Sequence, residues 1–340
     1  YSLNTTMVFF GGLMYICFEV LIAIGCVLGN GLVMWAVWRS GSLSKPTFCL
    51  IVSLSVADLL VGAVAVPLAL IVDMHVKMSF HACLFISCFL IVPLQASVLT
   101  LLAIAVDRCL RVCIPFRYKS TVTKKRSWII AAVCWMLAFM LGFLPMFGWY
   151  NHDTLAQHNS TSIDCEFVAV ISISYLVHFI FEGCFLPPLA VMTALYYYVF
   201  YKIRRQSRGA LGETGPYTQK EQKLASSLVL VLALFAVCWL PLHIIQSIMF
   251  YNHSVYVPSI ALYSGILLSH ANSAVNPVVY AYKVPKMKRE YMRIWRRITG
   301  REQTMDINIR TAASNTIDSH DGREHVKISP NVGDSDMNGI

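Results

Sequence analysis

Charge is what this 340-residue chain has least of. Asp, Glu, Lys and Arg make up 13% of it against 57% apolar residues, and the mean hydropathy is +0.61. Soluble domains carry about 25% charged residues, so a chain folded in water is excluded and one solvated by lipid is indicated. Two-residue alternation is missing as well. The apolar runs are continuous, which argues against a transmembrane β-barrel. No repeat with a period of about 20–50 residues is evident, so one membrane domain is expected. Basic residues are nearly absent from one side of the chain's hydrophobic segments, where Lys77 is the only Lys or Arg.

What is present is a set of seven long apolar segments, at roughly 13–37, 47–72, 80–106, 127–148, 172–200, 224–250 and 258–281. Pro145, Pro188 and Pro241 fall in the fourth to sixth, where membrane helices tolerate them. The expected fold is an all-α membrane protein, a seven-transmembrane-helix bundle with a short amphipathic inner-leaflet helix. Basic clusters follow the first, third, fifth and seventh segments, which places the N-terminus outside and the C-terminus in the cytoplasm. The net charge of +9 is thus a signature of topology and gives no support to nucleic-acid binding. Residues 1–12 are expected outside, 13–298 in the bundle and its basic amphipathic helix (Lys286 to Arg297), and 299–340 in a disordered cytoplasmic tail. The chain opens at Tyr1 with no visible signal peptide, and a few residues are expected to precede it.

Three N-glycosylation sequons, at Asn4, Asn159 and Asn252, all fall on the expected outer side. Most of the eleven cysteines sit inside apolar segments as small hydrophobes. Cys83, at the outer start of the third span, and Cys165, in the second outer loop, are both on the oxidising side and are expected to pair. Cys88, about a turn deeper, is the alternative partner.

Polar residues inside the spans carry the functional reading, because at bilayer depth each is costly unless it faces the protein interior. The stretch from Tyr256 to Tyr282 holds Ser269, His270, Asn272, Ser273 and the pair Asn276-Pro277. Asp58 lies mid-way along the second span, and Asn30, Ser97, Asn272 and Asn276 are mid-span residues able to surround it. One carboxylate with hydroxyl and amide oxygens suits a hard monovalent cation, and an allosteric sodium ion is expected there. Asp107-Arg108-Cys109 ends the third span, Trp239 precedes Pro241 in the sixth, and Asn276-Pro277 kinks the seventh ahead of Tyr280.

Asn30, Asp58, Asp107-Arg108, Trp128 or Trp135, Cys238-Trp-Leu-Pro241 and Asn276-Pro-Val-Val-Tyr280 resemble the signature set of rhodopsin-like G-protein-coupled receptors, in order over residues 13–297. The resemblance implies a receptor without enzymatic activity in the plasma membrane, with agonist entry from outside. A heterotrimeric G protein would dock at the inner ends, where Asp107, Arg108, Pro277 and Tyr280 form the switch. Arrestin and receptor kinases are further implied partners. Cys109 stands where the family usually has Tyr. The seventh span has no Lys for a retinal Schiff base, and Cys83 to Leu94 contains no acid for a biogenic amine. A neutral, partly apolar ligand is expected.

Tyr15-Ile-Cys-Phe-Glu19, Pro145-Met-Phe-Gly-Trp149, Cys165-Glu-Phe167, Trp239-Leu-Pro-Leu-His243 and Leu268-Ser-His-Ala-Asn-Ser273 narrow this to a resemblance to adenosine receptors. In that family Phe167 would stack on adenine, with Leu242 and Ile266 as further apolar contacts. Ser269 and His270 would bond the ribose, Glu19 would pair with His270, and His243, Leu90 and Trp239 would complete the pocket. Such a set, an aromatic and aliphatic sandwich with a few directional hydrogen bonds, is what a purine nucleoside requires. Two positions depart from the family: Gln246 where it has Asn, and Leu94 where it has Thr. Each change weakens a polar contact to adenosine or shifts preference to another purine. Val168, Arg117-Tyr-Lys119 and Glu213-Thr-Gly215 resemble the third adenosine-receptor subtype, implying an inhibitory G protein and lowered cyclic AMP, whereas His243 and Trp35-Ala-Val-Trp38 resemble the stimulatory subtypes. A transporter using Asp58, Glu19 and Glu182 is the competing class, and the lack of repeats and of further intramembrane acids stands against it.

Overall fold

The computed structural model describes residues 2–157, 162–209, 216–252, 254–283 and 285–298. Helix α1 runs from Ser2 to Arg39, beginning well before residue 13. The second span is α2 (Pro46–Leu60) and α3 (Val66–Asp73), joined by one π-helical stretch, Val61–Ala65. Pro67 explains the widened turn. It brings no N–H, and the helix loosens over the preceding turn instead of breaking.

A short antiparallel pair follows, β1 (Lys77–Met78) with β2 (Ile163–Asp164), registering Lys77 opposite Asp164. Helix α4 (Phe80–Cys113) is the third span and starts at Ser79, whose hydroxyl accepts from Ala82 N–H as an N-cap. Helix α5 (Pro115–Thr121) lies in the second inner loop, and α6 (Lys124–Gly142) is the fourth span. That span stops at Gly142 and passes into a 3₁₀ turn, Leu144–Phe147, so Pro145 ends it where a longer helix was expected. Helices α7 (His152–Gln157) and α8 (Phe167–Val170) are short outer-loop turns. The fifth span opens with a π-helical stretch, Tyr175–Phe185, ahead of Pro187 and Pro188, and continues as α9 (Leu186–Gly209). Helix α10 (Pro216–Tyr251) contains Pro241, and α11 (Ser259–Lys283) contains Pro277. Helix α12 spans Pro285–Ile298.

Six of the described helices are long and apolar enough to cross a membrane. The seventh segment, α11, has the length at 25 residues, but its Ser, His and Asn side chains leave it short of that apolar character. Burial explains why those residues are tolerated: Ser269, Asn272, Ser273 and Asn276 all face inward. Helix α4 is central, packing on α2, α6 and α9, while α1 packs on α2 and α11, and α10 on α11. Gly29 permits the α1–α11 approach, since a Cβ there would meet Pro277 Cγ at 2.9 Å. Trp135, and not Trp128, ties α6 to α2 through an Nε1–H bond to Ser53 Oγ of 3.1 Å. One compact unit, Tyr1–Glu290, contains the bundle; a second begins at Tyr291, and of it only the end of α12 is described.

Candidate functional site

The second outer loop is anchored first. Cys83 and Cys165 form a disulfide with a Cα–Cα distance of 5.6 Å, Cys165 N–H donates to Val76 O at 3.2 Å, and β2 pairs with β1. Cys88 is a free, buried thiol. This clamp carries Phe167, two residues on, over the outer mouth of a cavity of about 310 Å³.

The cavity wall gathers Phe167, Leu90, Leu94, Trp239, Leu242, His243, Gln246, Ile266 and His270 from one loop and three helices, α4, α10 and α11. His270 Nδ1 lies 2.9 Å from both carboxylate oxygens of Glu19, which is 1% exposed. Glu19 stands behind the imidazole and fixes its orientation, reaching the cavity through it. Ser269 is not part of the wall; it is buried and its hydroxyl donates to Ile266 O at 2.7 Å. At the deep end the His243 ring stacks near Phe181 (centroids 4.9 Å, 15°) and on Trp239 (5.9 Å, 28°). Its Nδ1 lies 3.3 Å from Gln246 Oε1, so that nitrogen carries the proton and donates. The longer Gln246 side chain thus engages its own helix. His243 Nε2 and Trp239 Nε1 are buried without a hydrogen-bond partner among the described residues. Cavity-wall residues not singled out from the sequence include Asp73, His75 and Glu166, with His75 Nδ1 3.2 Å from Glu166 Oε1.

Residues 29–280 match the family model described as 7 transmembrane receptor (rhodopsin family). The chain is 45% identical over 294 residues to Adenosine receptor A3 of Ovis aries, covering 86% of this chain and 92% of that protein. Adenosine receptor A3 of Bos taurus gives the same identity and coverage, and that of Canis lupus familiaris is 43% identical over 300 residues, 87% and 95% of the two chains. The chain belongs to the adenosine receptors of the rhodopsin family.

Below the cavity of this receptor lies a second polar centre. Asp58 Oδ2 accepts from Asn276 Nδ2 at 2.7 Å, and Asn30 Nδ2 bonds Cys26 O (2.9 Å) and Ser273 O (3.0 Å), tying α1 to α11. Asp58 Oδ1, Asn272 Oδ1 and Asn276 Oδ1 are buried acceptors with no partner among the described residues, and Ser97 is buried on α4. Buried oxygens without partners, one of them a carboxylate's, fit a hard monovalent cation better than a transition metal, whose nitrogen and sulfur ligands are lacking among them. Among the described residues no group of three His, Cys, Asp or Glu side chains gathers elsewhere to hold a metal.

At the inner end, buried Asp107 accepts from Thr47 Oγ1 at 2.7 Å, from Tyr118 OH at 2.6 Å and from Arg108 Nε at 3.1 Å. Arg108 also donates to Thr47 Oγ1. Burial, then the Asp107 carboxylate beside it, pushes the Tyr118 phenol up to about 12, so it remains a donor at neutral pH. Tyr280 is buried and Pro277 packs on Gly29. Asn252 is exposed just past α10, and its Oδ1 accepts from Ser254 N–H at 3.3 Å. Asn4 lies on α1 with its side chain outside the described set, and Asn159 lies outside the described residues altogether.

Glu182 has one partner on its own helical stretch and one from another span. His178 Nδ1 is 2.9 Å from Glu182 Oε2, and Tyr251 OH, from the sixth span, donates to Oε1 at 2.9 Å. That second partner is remote in sequence and had no local signal.

Proposed function

We propose that this receptor binds extracellular adenosine at the plasma membrane and couples to an inhibitory G protein, lowering cyclic AMP. The observation that carries the reading is the Glu19–His270 pair, whose imidazole lines the same cavity as Phe167. A buried carboxylate that locks an imidazole tautomer leaves the other ring nitrogen to meet a ribose hydroxyl, while the phenyl ring offers a face to adenine. Asp107 held by Thr47, Tyr118 and Arg108 supports a resting state in which Arg108 is kept from a docking partner. Agonist and G protein would then both favour the state in which this network opens. A sodium ion between Asp58, Ser97, Asn272 and Asn276 would favour the resting state, and arrestin and receptor kinases would act on the activated one. The identity to relatives named adenosine receptor A3 and the matching inner-loop strings support inhibitory coupling.

A second reading, a different purine nucleoside or nucleobase, is favoured by Leu94 in the wall and by Gln246 engaging His243. An adenosine dose series on cells expressing the full chain, reading cyclic AMP after cyclase stimulation, tests both. A fall supports inhibitory coupling, a rise reverses the coupling assignment, and silence despite surface expression transfers the case to other purines.

A further inference from the structure

The cavity has two chemically different ends. The deep end, around Trp239, His243 and Leu94, is aromatic and apolar. The other end, where α1, α3 and α11 meet, carries a carboxylate that none of the purine contacts uses. Asp73, the last residue of α3, lines the cavity there together with Tyr263 and His270.

Asp73 is exposed, and three features distinguish it from a freely rotating surface acid. Its Oδ2 accepts from Tyr15 OH at 2.8 Å, which fixes the carboxylate instead of leaving it to rotate. Tyr15 stacks on Tyr263, with centroids 4.5 Å apart and an interplanar angle of 21°, so an aromatic pair stands beside the acid. The nearby histidines are engaged elsewhere. Glu166 is engaged by His75, and Glu19 by His270, whereas no basic side chain is bonded to Asp73 among the described residues. A fixed carboxylate beside the cavity-lining Tyr263 ring suits a protonated amine, by charge-assisted hydrogen bonding and by the open ring face. An independent sign that the cavity awaits a ligand lies at its deep end, where His243 Nε2 has no partner among the described residues and the residue is 2% exposed.

We propose that this end of the cavity is a cation subsite, in which Asp73 takes the ammonium group of an arm carried by a purine nucleoside. The assignment rests on the purine reading above and narrows it, from a neutral nucleoside to one whose substituent is positively charged. Tyr15 is a positioning residue: it holds the carboxylate toward the cavity and does not itself meet the ammonium.

The test uses the purified full-length receptor and three probes: adenosine, an adenosine bearing a flexible primary aminoalkyl arm on its exocyclic nitrogen, and the N-acetylated form of that compound. Thermal stabilisation over a concentration series gives an apparent affinity for each without a tracer. The expected result is an amine-over-acetamide preference of about tenfold, the size of a charge-assisted hydrogen bond, reduced to near unity in Asp73→Asn, the ratio being read within each receptor so that any change in adenosine binding cancels. Equal binding of amine and acetamide by the unaltered receptor overturns the subsite and leaves the purine reading standing, and it needs no variant to fold. A preference that survives Asp73→Asn also overturns it, by placing the cation elsewhere. No stabilisation by any of the three compounds overturns the purine reading and the subsite together.

Discussion

Replacing His270 with Ala removes the partner of a carboxylate that has no alternative. Glu19 is 1% exposed, and both of its oxygens lie 2.9 Å from His270 Nδ1. The substitution leaves an unpaired buried acid, which costs about 3–5 kcal/mol when a buried pair is broken from one side. At about 2–4 °C per kcal/mol, the melting temperature of the purified receptor falls by roughly 6–20 °C. The two residues act as a unit, so Glu19→Gln with His270→Ala together cost less than the sum of the single changes, with a coupling of about 0.5–3 kcal/mol. Adenosine response separates the roles. His270→Ala abolishes it, because the group on the cavity wall is gone, whereas Glu19→Gln shifts the dose curve without abolishing it, because the imidazole remains. Melting curves on detergent-purified protein, with cyclic AMP dose curves normalised to surface receptor, provide the measurement. An unchanged melting temperature and an unchanged half-maximal dose in His270→Ala refute both the energetic and the functional argument.

Three further outcomes follow from the same geometry. Cys83→Ser or Cys165→Ser opens a loop closed over 82 residues, and a loss of about 2–5 kcal/mol is expected with reduced surface receptor, measured by antibody staining of intact cells. Leu94→Thr with Gln246→Asn restores a hydroxyl and a shorter amide at the wall; adenosine potency in the cyclic AMP assay rises by about ten- to a hundredfold if both hydrogen bonds form, and no gain argues for another ligand. Asp58→Asn removes the carboxylate at the buried oxygen cluster, so agonist affinity measured in sodium and in a bulky organic cation becomes equal, where the unaltered receptor binds agonist more weakly in sodium. A receptor indifferent to sodium before substitution refutes that site.

Much of this was legible in the sequence because membrane helices make polar residues conspicuous. Asp58, Asn276, Glu19 and His270 stood out against apolar runs, and the structure pairs them as Asp58 with Asn276 and Glu19 with His270. The Cys83–Cys165 bridge followed from which side of the membrane each cysteine occupies. Other features lack a local signature. Asp73 and His75 read as ordinary loop-edge polar residues, since nothing in the one-dimensional string says that Tyr15 and Glu166 approach them. Gln246 lines the cavity as the resemblance implies, but nothing in the string says that its amide oxygen meets His243. The seventh span was the reverse case, its polar residues weakening the length-and-hydropathy signal while making its functional side chains conspicuous.

The π-helical stretch at Val61–Ala65 has a consequence for insertions and deletions. Each residue advances an α-helix by about 100°, so the extra residue of a π turn rotates everything beyond it by that amount relative to an uninterrupted helix. Ala69, Val72 and Asp73, all beyond it, line the cavity in this phase. Deleting one residue within Val61–Ala65 would let the second span relax to a regular helix with little loss of backbone bonding and keep that face on the cavity, whereas straightening the turn with its extra residue retained would turn that face away. The register of one turn therefore sets which residues a ligand meets at this end of the cavity, and a change from π to α winding at constant chain length alters recognition without altering a single side chain of the wall.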